Sequence, residues 1–265
     1  MEIKRDSYLE QLKIRKDNGM IKIITGIRRC GKSFLLFVLF KKYLLESGVD
    51  NDHIIEIALD GIENEELRDP KKCYQHIKER VEDDQKYYLL LDEVQFMSRF
   101  EEVLNSLLRI SNIDVYVTGS NAKMLSSEIA TTLGGRFLIQ EVYPYSFREF
   151  LLSQDIILKT NWLYTPSLRN EVVRTFDAYF YNGGFPELIA FKDKRSWLSG
   201  LYQKIFFGDL VARYALRNSD SMSLLVKKLA ESVMQPSSYN RLKNIVSSAG
   251  ESVGVRTVID YVGYL

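Results

Sequence analysis

Gly26, Ile27, Arg28, Arg29, Cys30, Gly31, Lys32 and Ser33 follow one another in the order G-x-x-x-x-G-K-[ST]. Each fixed position has a physical role. The glycines let backbone come close to phosphate oxygens, and successive N–H groups turned inward at a helix N-terminus form a nest for an anion. Lys32 is placed to reach the β- and γ-oxygens of a nucleoside triphosphate, and the Ser33 hydroxyl to hold Mg²⁺. The apolar run Met20-Ile21-Lys22-Ile23-Ile24 precedes the loop, and a helix-like stretch opens at Phe34. That strand–loop–helix context is what the chemistry requires, so residues 26–34 are the candidate nucleotide cradle.

Two acids close the apolar run Tyr87-Tyr88-Leu89-Leu90-Leu91-Asp92-Glu93. Asp92, at the end of a strand expected to adjoin the phosphate-loop strand, is the candidate Mg²⁺ carboxylate. Glu93 is the candidate base that polarises a water for attack on the γ-phosphate. The run Val115-Tyr116-Val117-Thr118-Gly119-Ser120-Asn121 also ends in small polar residues. If its strand lies between the other two, Ser120 or Asn121 approaches the γ-phosphate as a sensor; both are also favoured helix caps, and the two roles are compatible. Arg136, after Gly134-Gly135, is either a surface arginine or an arginine finger for a neighbouring subunit's γ-phosphate. Arg28 and Arg29 are expected to pair with acids or face solvent, with no catalytic part.

Holding these groups together takes a parallel sheet covered by helices. Short apolar runs bounded by turn residues predict strands at 21–25, 54–59, 87–91, 115–118 and 137–142, and amphipathic stretches predict helices at 33–47, 71–81, 100–110 and 123–133. An opening helix runs to Asn18-Gly19, with Tyr8, Leu9 and Leu12 on one face. The character changes at Pro144 and Ser146-Phe147-Arg148-Glu149-Phe150, after which helices are expected at 168–181, 195–217 and 222–233. Pro236-Ser237-Ser238 breaks the chain. A helix capped by Ser238, a turn around Ala249-Gly250-Glu251 and a last helix at 256–265, with Val258, Tyr261, Val262 and Leu265 on one face, have helix–turn–helix spacing. That last helix has no cap, so the chain reads as a piece of something longer.

The 265 residues suffice for one large domain or two modest ones, and 46% apolar with 27% charged residues is the composition of an ordinary globular protein. A net charge of +1 gives no overall field toward nucleic acid or an anionic membrane. No apolar run has the length of a membrane span, and the opening residues do not resemble a signal peptide. Cys30 and Cys73 cannot build a disulfide framework, and His53 and His76 suggest no zinc site; a cytoplasmic setting is expected.

Taken in order, these segments resemble the AAA+-type ATPases of an archaeal and bacterial group often fused to a further C-terminal domain. The resemblance rests on residues 26–33, 89–95 and 118–121 with Lys123-Met124-Leu125-Ser126-Ser127-Glu128, then Gly135-Arg136, 144–150, Gly183-Gly184-Phe185-Pro186-Glu187 and Asp209-Leu210-Val211-Ala212-Arg213-Tyr214. It implies ATP rather than GTP, Asp92 on Mg²⁺, Glu93 as base, Asn121 near the sensor position and Arg136 as the finger. Gly184-Phe185-Pro186 is similar to a lid element that sets proline against adenine, although a helix-ending turn explains it equally well. Residues beyond Met222 resemble a winged helix. Longer relatives continue into a nuclease-like domain, which this chain does not reach.

The expected fold class is therefore α/β, a P-loop NTPase of AAA+/RecA-like type with its parallel sheet sandwiched by helices. It divides into a P-loop ATPase domain at 1–150, an all-α helical lid at 151–220 and a winged-helix-like segment at 221–265. The expected function is slow, partner-dependent ATP hydrolysis driving a conformational switch, in a homo-oligomer if Arg136 acts in trans. Two other readings stay open. A small-molecule P-loop kinase would pass the γ-phosphate to an alcohol or nucleoside. A nucleotide-regulated DNA-binding protein would use Arg241, Lys243 and Arg256 on phosphates, with Glu251 and Asp260 diluting the charge and a protein partner as the alternative.

Overall fold

Five apolar runs become five parallel strands: β1 (Ile21–Thr25), β2 (Ile54–Ala58), β3 (Tyr87–Asp92), β4 (Ile113–Gly119) and β5 (Phe137–Glu141). They form one sheet in the order β2-β3-β4-β1-β5. The computed structural model describes residues 3–119, 127–212, 214–216, 219–248 and 253–265. Ser120, Asn121, the expected helix start at Lys123, Arg213 and the turn at Ala249-Gly250-Glu251 lie outside these.

Strand alternation builds two cores. Ile21, Ile23, Ile55, Ile57, Leu89, Leu91, Val115 and Val117 face α4 (Pro70–Arg80), α5 (Phe100–Leu107) and α6 (Ser127–Thr132). On the other face Ile24, Leu90 and Tyr116 meet Leu12 of α1 (Asp6–Ile14) and the helix after the phosphate loop. That helix starts as α2 (Lys32–Phe34), passes through a π-helical stretch, Leu35–Phe40, and ends as α3 (Lys41–Glu46). A parallel sheet needs both faces covered, which is why its strands read as nearly continuous apolar runs.

Two expectations change. The opening helix ends at Ile14, not at Asn18-Gly19, because Asp17 takes left-handed backbone (φ 59°) and gives its N–H to Asp114 at 2.9 Å. β3 does not adjoin β1: β4 pairs with both and lies between them. The condition set for a sensor on β4 is thereby met, although Ser120 and Asn121 themselves are not among the described residues.

Chain contacts divide the protein into two compact units, Met1–Phe191 and Lys192–Leu265. In the first, α7 (Phe147–Ser153) opens with a capping box, Ser146 against Glu149, and α8 (Pro166–Asn182) ends at Gly183 with φ 75°. In the second, α9 (Lys194–Gln203) continues as a π-helical stretch, Lys204–Val211. Three helices, α10 (Ser219–Glu231), α11 (Tyr239–Ser248) and α12 (Val255–Gly263), then pack around Phe206, Met222, Leu225, Leu242, Val246, Val258 and Tyr261. Ser238 caps α11 as expected, accepting from the Arg241 N–H at 3.2 Å. Leu265 falls beyond α12 and is exposed.

An ion pair lies inside the sheet layer. The Lys22 ammonium bonds the Asp114 carboxylate, with both side chains almost wholly buried. Asp114 also accepts from the Tyr116 hydroxyl at 2.9 Å. Burial pushes the Lys22 ammonium below its ordinary pKa even against the pull of Asp114. Lys22→Met leaves that carboxylate buried without its cation and should lower unfolding free energy by about 3–5 kcal/mol in urea titrations. The double variant with Asp114→Asn should recover part of the loss, and a single-variant effect below about 1 kcal/mol would count against a charged pair.

Candidate nucleotide site

The phosphate loop leaves β1 through Gly26, and no other residue fits there. Its φ is 150°, and a Cβ at this position would stand 2.1 Å from the Val142 carbonyl oxygen. Gly31, with φ 97°, precedes α2 and likewise holds a conformation that residues with a Cβ rarely adopt. The loop thus ends at the N-terminus of a long helical run, where backbone N–H groups lack intrahelical partners and attract anions. Ile27 and Phe34 side chains are each 40% exposed, so their contribution to the cradle is their backbone. Arg29 pairs with Glu187, in line with expectation. Cys30 is buried, and that burial raises its thiol pKa, so it packs as an apolar residue.

Lys32 is folded back on its own loop. Its ammonium donates to the Gly26 carbonyl at 3.0 Å and to the Ile27 carbonyl at 3.3 Å, and Glu93 Oε1 lies 3.9 Å away. The phosphate-loop lysine and the candidate base, 61 positions apart in the sequence, therefore converge on one place.

Thr118 organises the acidic end of β3. Its hydroxyl donates to Asp92 Oδ1 and accepts from the Glu93 N–H at 2.9 Å. The Ser33 hydroxyl lies close enough to the same Asp92 carboxylate to favour its charged form, so the two residues expected to hold Mg²⁺ are neighbours. One hydroxyl and one carboxylate suit a hard cation that arrives on phosphate oxygens and keeps several waters, as Mg²⁺ does. Glu93 has left-handed backbone, φ 54° and ψ 47°, and accepts from the Gln95 amide through Oε2. Such conformations are uncommon away from glycine and cluster at functional sites. The sequence pattern names Thr118 and Gln95 without giving either a role; a hydroxyl two residues ahead of the small polar strand end was the available signal for Thr118.

Pro186 stands beside the loop. Its Cγ lies 3.8 Å from where a Gly31 Cβ would be. The turn also ends α8, so a helix-ending role for Gly184-Phe185-Pro186 is compatible with one at the loop. Gly184 is required because a Cβ there would meet the Tyr145 carbonyl oxygen at 2.1 Å.

Arg136 stands apart from this group. It precedes β5, whose first residue, Phe137, pairs with Ile21 at the start of β1, while the loop follows Thr25 at the other end. Five residues of strand put roughly 16 Å between those ends, beyond the reach of one arginine side chain. The exposed Arg136 guanidinium instead donates to Asn105 Oδ1 at 2.6 Å. In the second unit, Arg256 lies 3.5 Å from Asp260, which offsets one of the charges considered for DNA.

A sequence-family model described as an AAA domain matches residues 18–151. An uncharacterised protein of Haemophilus influenzae is 31% identical over 99% of this chain and 64% of its own length. An uncharacterised protein of Methanocaldococcus jannaschii is 28% identical over 96% of this chain and 56% of its own length. The chain thus spans less than two thirds of either relative. Among solved structures, the Aeropyrum pernix ORC1 protein in complex with DNA aligns over 98% of this chain and 82% of its own, with TM-score 0.42 and 13% identity. Domain III of the Thermotoga maritima replication initiation protein DnaA aligns over 67% and 85%, with TM-score 0.39 and 15% identity. Among the described residues, no helix is long and apolar enough to cross a membrane.

Burial raises the Asp92 carboxyl above its ordinary 3.8; the hydroxyls of Thr118 and Ser33 oppose the shift, and the charges of Glu93 and Asp60 add to it. Asp92 therefore takes up a proton more readily in the folded protein than in the unfolded chain. That contribution to stability is complete below pH 3.8 and is lost as pH rises through the folded-state value. Asp92→Asn cannot ionise and keeps an acceptor for Thr118. Without nucleotide or magnesium, it should melt above wild type at pH 7, with the difference shrinking toward pH 4, as calorimetric Tm values across that range will show. A constant difference across the range would exclude Asp92 ionisation as its cause.

Proposed function

The chain belongs to the AAA-domain family of P-loop ATPases, and on that premise we propose that it binds ATP with Mg²⁺ and hydrolyses it to drive a conformational switch. The observation that carries this reading is the convergence of Lys32, Glu93 and the Ser33–Asp92 pair on the mouth of the loop. Lys32 would exchange the Gly26 and Ile27 carbonyls for β- and γ-phosphate oxygens, a trade of neutral for charged acceptors that favours the nucleotide. Ser33 and Asp92 would hold the metal, whose chemistry is to neutralise charge on the phosphate oxygens. Glu93 would take a proton from water as its oxygen bonds the γ-phosphorus and the bond to the bridging oxygen breaks, leaving ADP and phosphate. Asn121 would sense the γ-phosphate from the end of β4, and Pro186 would lie against the base.

Arg136 cannot serve its own loop, so its part as a finger is read in trans, within a homo-oligomer. We read the helices over 151–220 as the lid and residues 221–265 as a winged-helix segment that moves with it, in a cytoplasmic protein with a DNA or protein partner.

Phosphate release from Mg–ATP, measured without an added acceptor, tests the reaction class. Release that needs an alcohol or nucleoside would favour the kinase reading instead. Glu93→Gln should keep ATP affinity and lose about 100-fold or more in turnover, because an amide takes no proton from water. Lys32→Ala should lose the nucleotide itself. Wild-type turnover in Glu93→Gln would remove Glu93 from the mechanism.

Arg136→Ala alone should turn over slowly with its fold intact. Mixed with Glu93→Gln, it should regain part of its activity, since each variant supplies what the other lacks across a shared interface. Full activity of Arg136→Ala by itself would rule out the finger.

A further inference from the structure

Arg5 is a buried cation that the mechanism above does not use. It precedes α1, its backbone lies in the left-handed region at φ 49°, and only 4% of its surface is exposed. A residue with a Cβ adopts that backbone uncommonly, and here it sends the side chain inward rather than along the helix surface. Each nitrogen of the guanidinium has a separate partner. Nη1 donates to the Cys30 carbonyl at 2.9 Å, Nη2 to the Tyr143 carbonyl at 2.7 Å and Nε to Glu149 Oε1 at 2.9 Å. The rings of Tyr8 and Tyr145 lie against it, with centroids 4.5 Å and 5.2 Å from its central carbon.

The partner that matters is Cys30. A trans peptide directs its carbonyl and its N–H to opposite sides, and the protein has no cis peptide among its described residues. The Cys30 carbonyl and the Gly31 N–H belong to one such unit. A guanidinium holding the carbonyl therefore fixes the N–H on the opposite side of that peptide, where a phosphate nest would need it. It also polarises that peptide, making the N–H a better donor. The guanidinium reaches Gly31 as well, since a Cβ there would be 3.6 Å from Nη1.

The far side of Arg5 is tied to the helices. Glu149 accepts the Ser146 N–H at 2.8 Å and the Ser146 hydroxyl at 2.9 Å through its other oxygen, completing the cap of α7. The neighbouring Tyr145 N–H donates to the Gly184 carbonyl at 2.7 Å. Arg5 thus joins the phosphate loop to α7, and the Tyr145 backbone beside it bonds the turn that carries Pro186.

We propose that Arg5 is a positioning residue for phosphate binding: it holds the Cys30–Gly31 peptide with its N–H toward the nucleotide's phosphates and registers the loop against α7 through Glu149. The proposal rests on the nucleotide reading above and goes beyond it by assigning loop geometry to a residue outside the loop.

The test is calorimetric titration of the full chain with Mg–ADP and with pyrophosphate, alongside thermal melts. Arg5→Lys keeps the charge but cannot reach three acceptors at once, and Arg5→Ala removes them all. Folded Arg5→Lys should bind both ligands about tenfold more weakly, the effect of one misplaced charge-assisted donor. Glu149→Gln, which loosens the ion pair while leaving Arg5 in place, should lose less than Arg5→Lys. If Arg5→Ala does not fold, Arg5→Lys and Glu149→Gln carry the test. Wild-type affinity for both ligands in a folded Arg5→Lys variant overturns the proposal. So does weakened ADP binding with unchanged pyrophosphate binding, which would move the effect to the base. Failure of the wild type to bind either ligand would instead overturn the nucleotide reading beneath it.

Discussion

One hydroxyl, that of Thr118, accepts from the Glu93 N–H and donates a hydrogen bond to the Asp92 carboxylate, and the acidic edge of the site depends on that pair of bonds. It is available because β4 stands between β1 and β3, so the end of β4 meets the end of β3 on the side facing the phosphate loop. Without it, Asp92 would lose one of the two hydroxyls that steady a buried charge, and the left-handed turn at Glu93 would lose its backbone anchor. Threonine suits this position, because its β-branched side chain fits a buried strand and its one oxygen both gives and receives.

The first unit manages its buried charges by fixing each among several partners. Lys22 is matched to Asp114, Arg5 to Glu149 and two carbonyls, and Lys32 to loop carbonyls with Glu93 close by. The first pair lies near the strand starts and contributes to the sheet. The other two lie near the strand ends, where the chemistry is. Lys32 is the exception in kind, because its hydrogen-bonding partners are neutral carbonyls, which a charged ligand can replace.

The sheet was legible because a parallel strand buried on both faces must be an apolar run; all five appear within two residues of where the runs begin and end. The phosphate loop was legible because its chemistry is local and needs glycine, lysine and serine at set spacings. What could not be read joins residues far apart. Arg5 and Glu149 are separated by 144 positions, Lys22 and Asp114 by 92, and Arg29 and Glu187 by 158. No pattern around Arg5 marks it as buried, since an arginine ahead of a helix is ordinarily solvated. The place of β4 between β1 and β3 is set by strand pairing across the sheet, which no local pattern encodes. The early end of α1 follows from Asp114 drawing in the Asp17 N–H, a contact that local helix propensity does not register.

The 2.1 Å that would separate a Cβ at Gly26 from the Val142 oxygen has a mechanical meaning. Val142 follows β5 and gives its N–H to the Thr25 carbonyl at 2.7 Å, so the exit of one strand and the entry of the loop are clamped back to back. There is no slack between them for a side chain to fill or for a slide to take up. Arg15, just past the end of α1, also donates to the Ile139 carbonyl at 3.1 Å, so the strand that closes on the loop is held from a second side. Position 26 is thus the point where the end of that strand and the start of the phosphate loop are held in direct backbone contact.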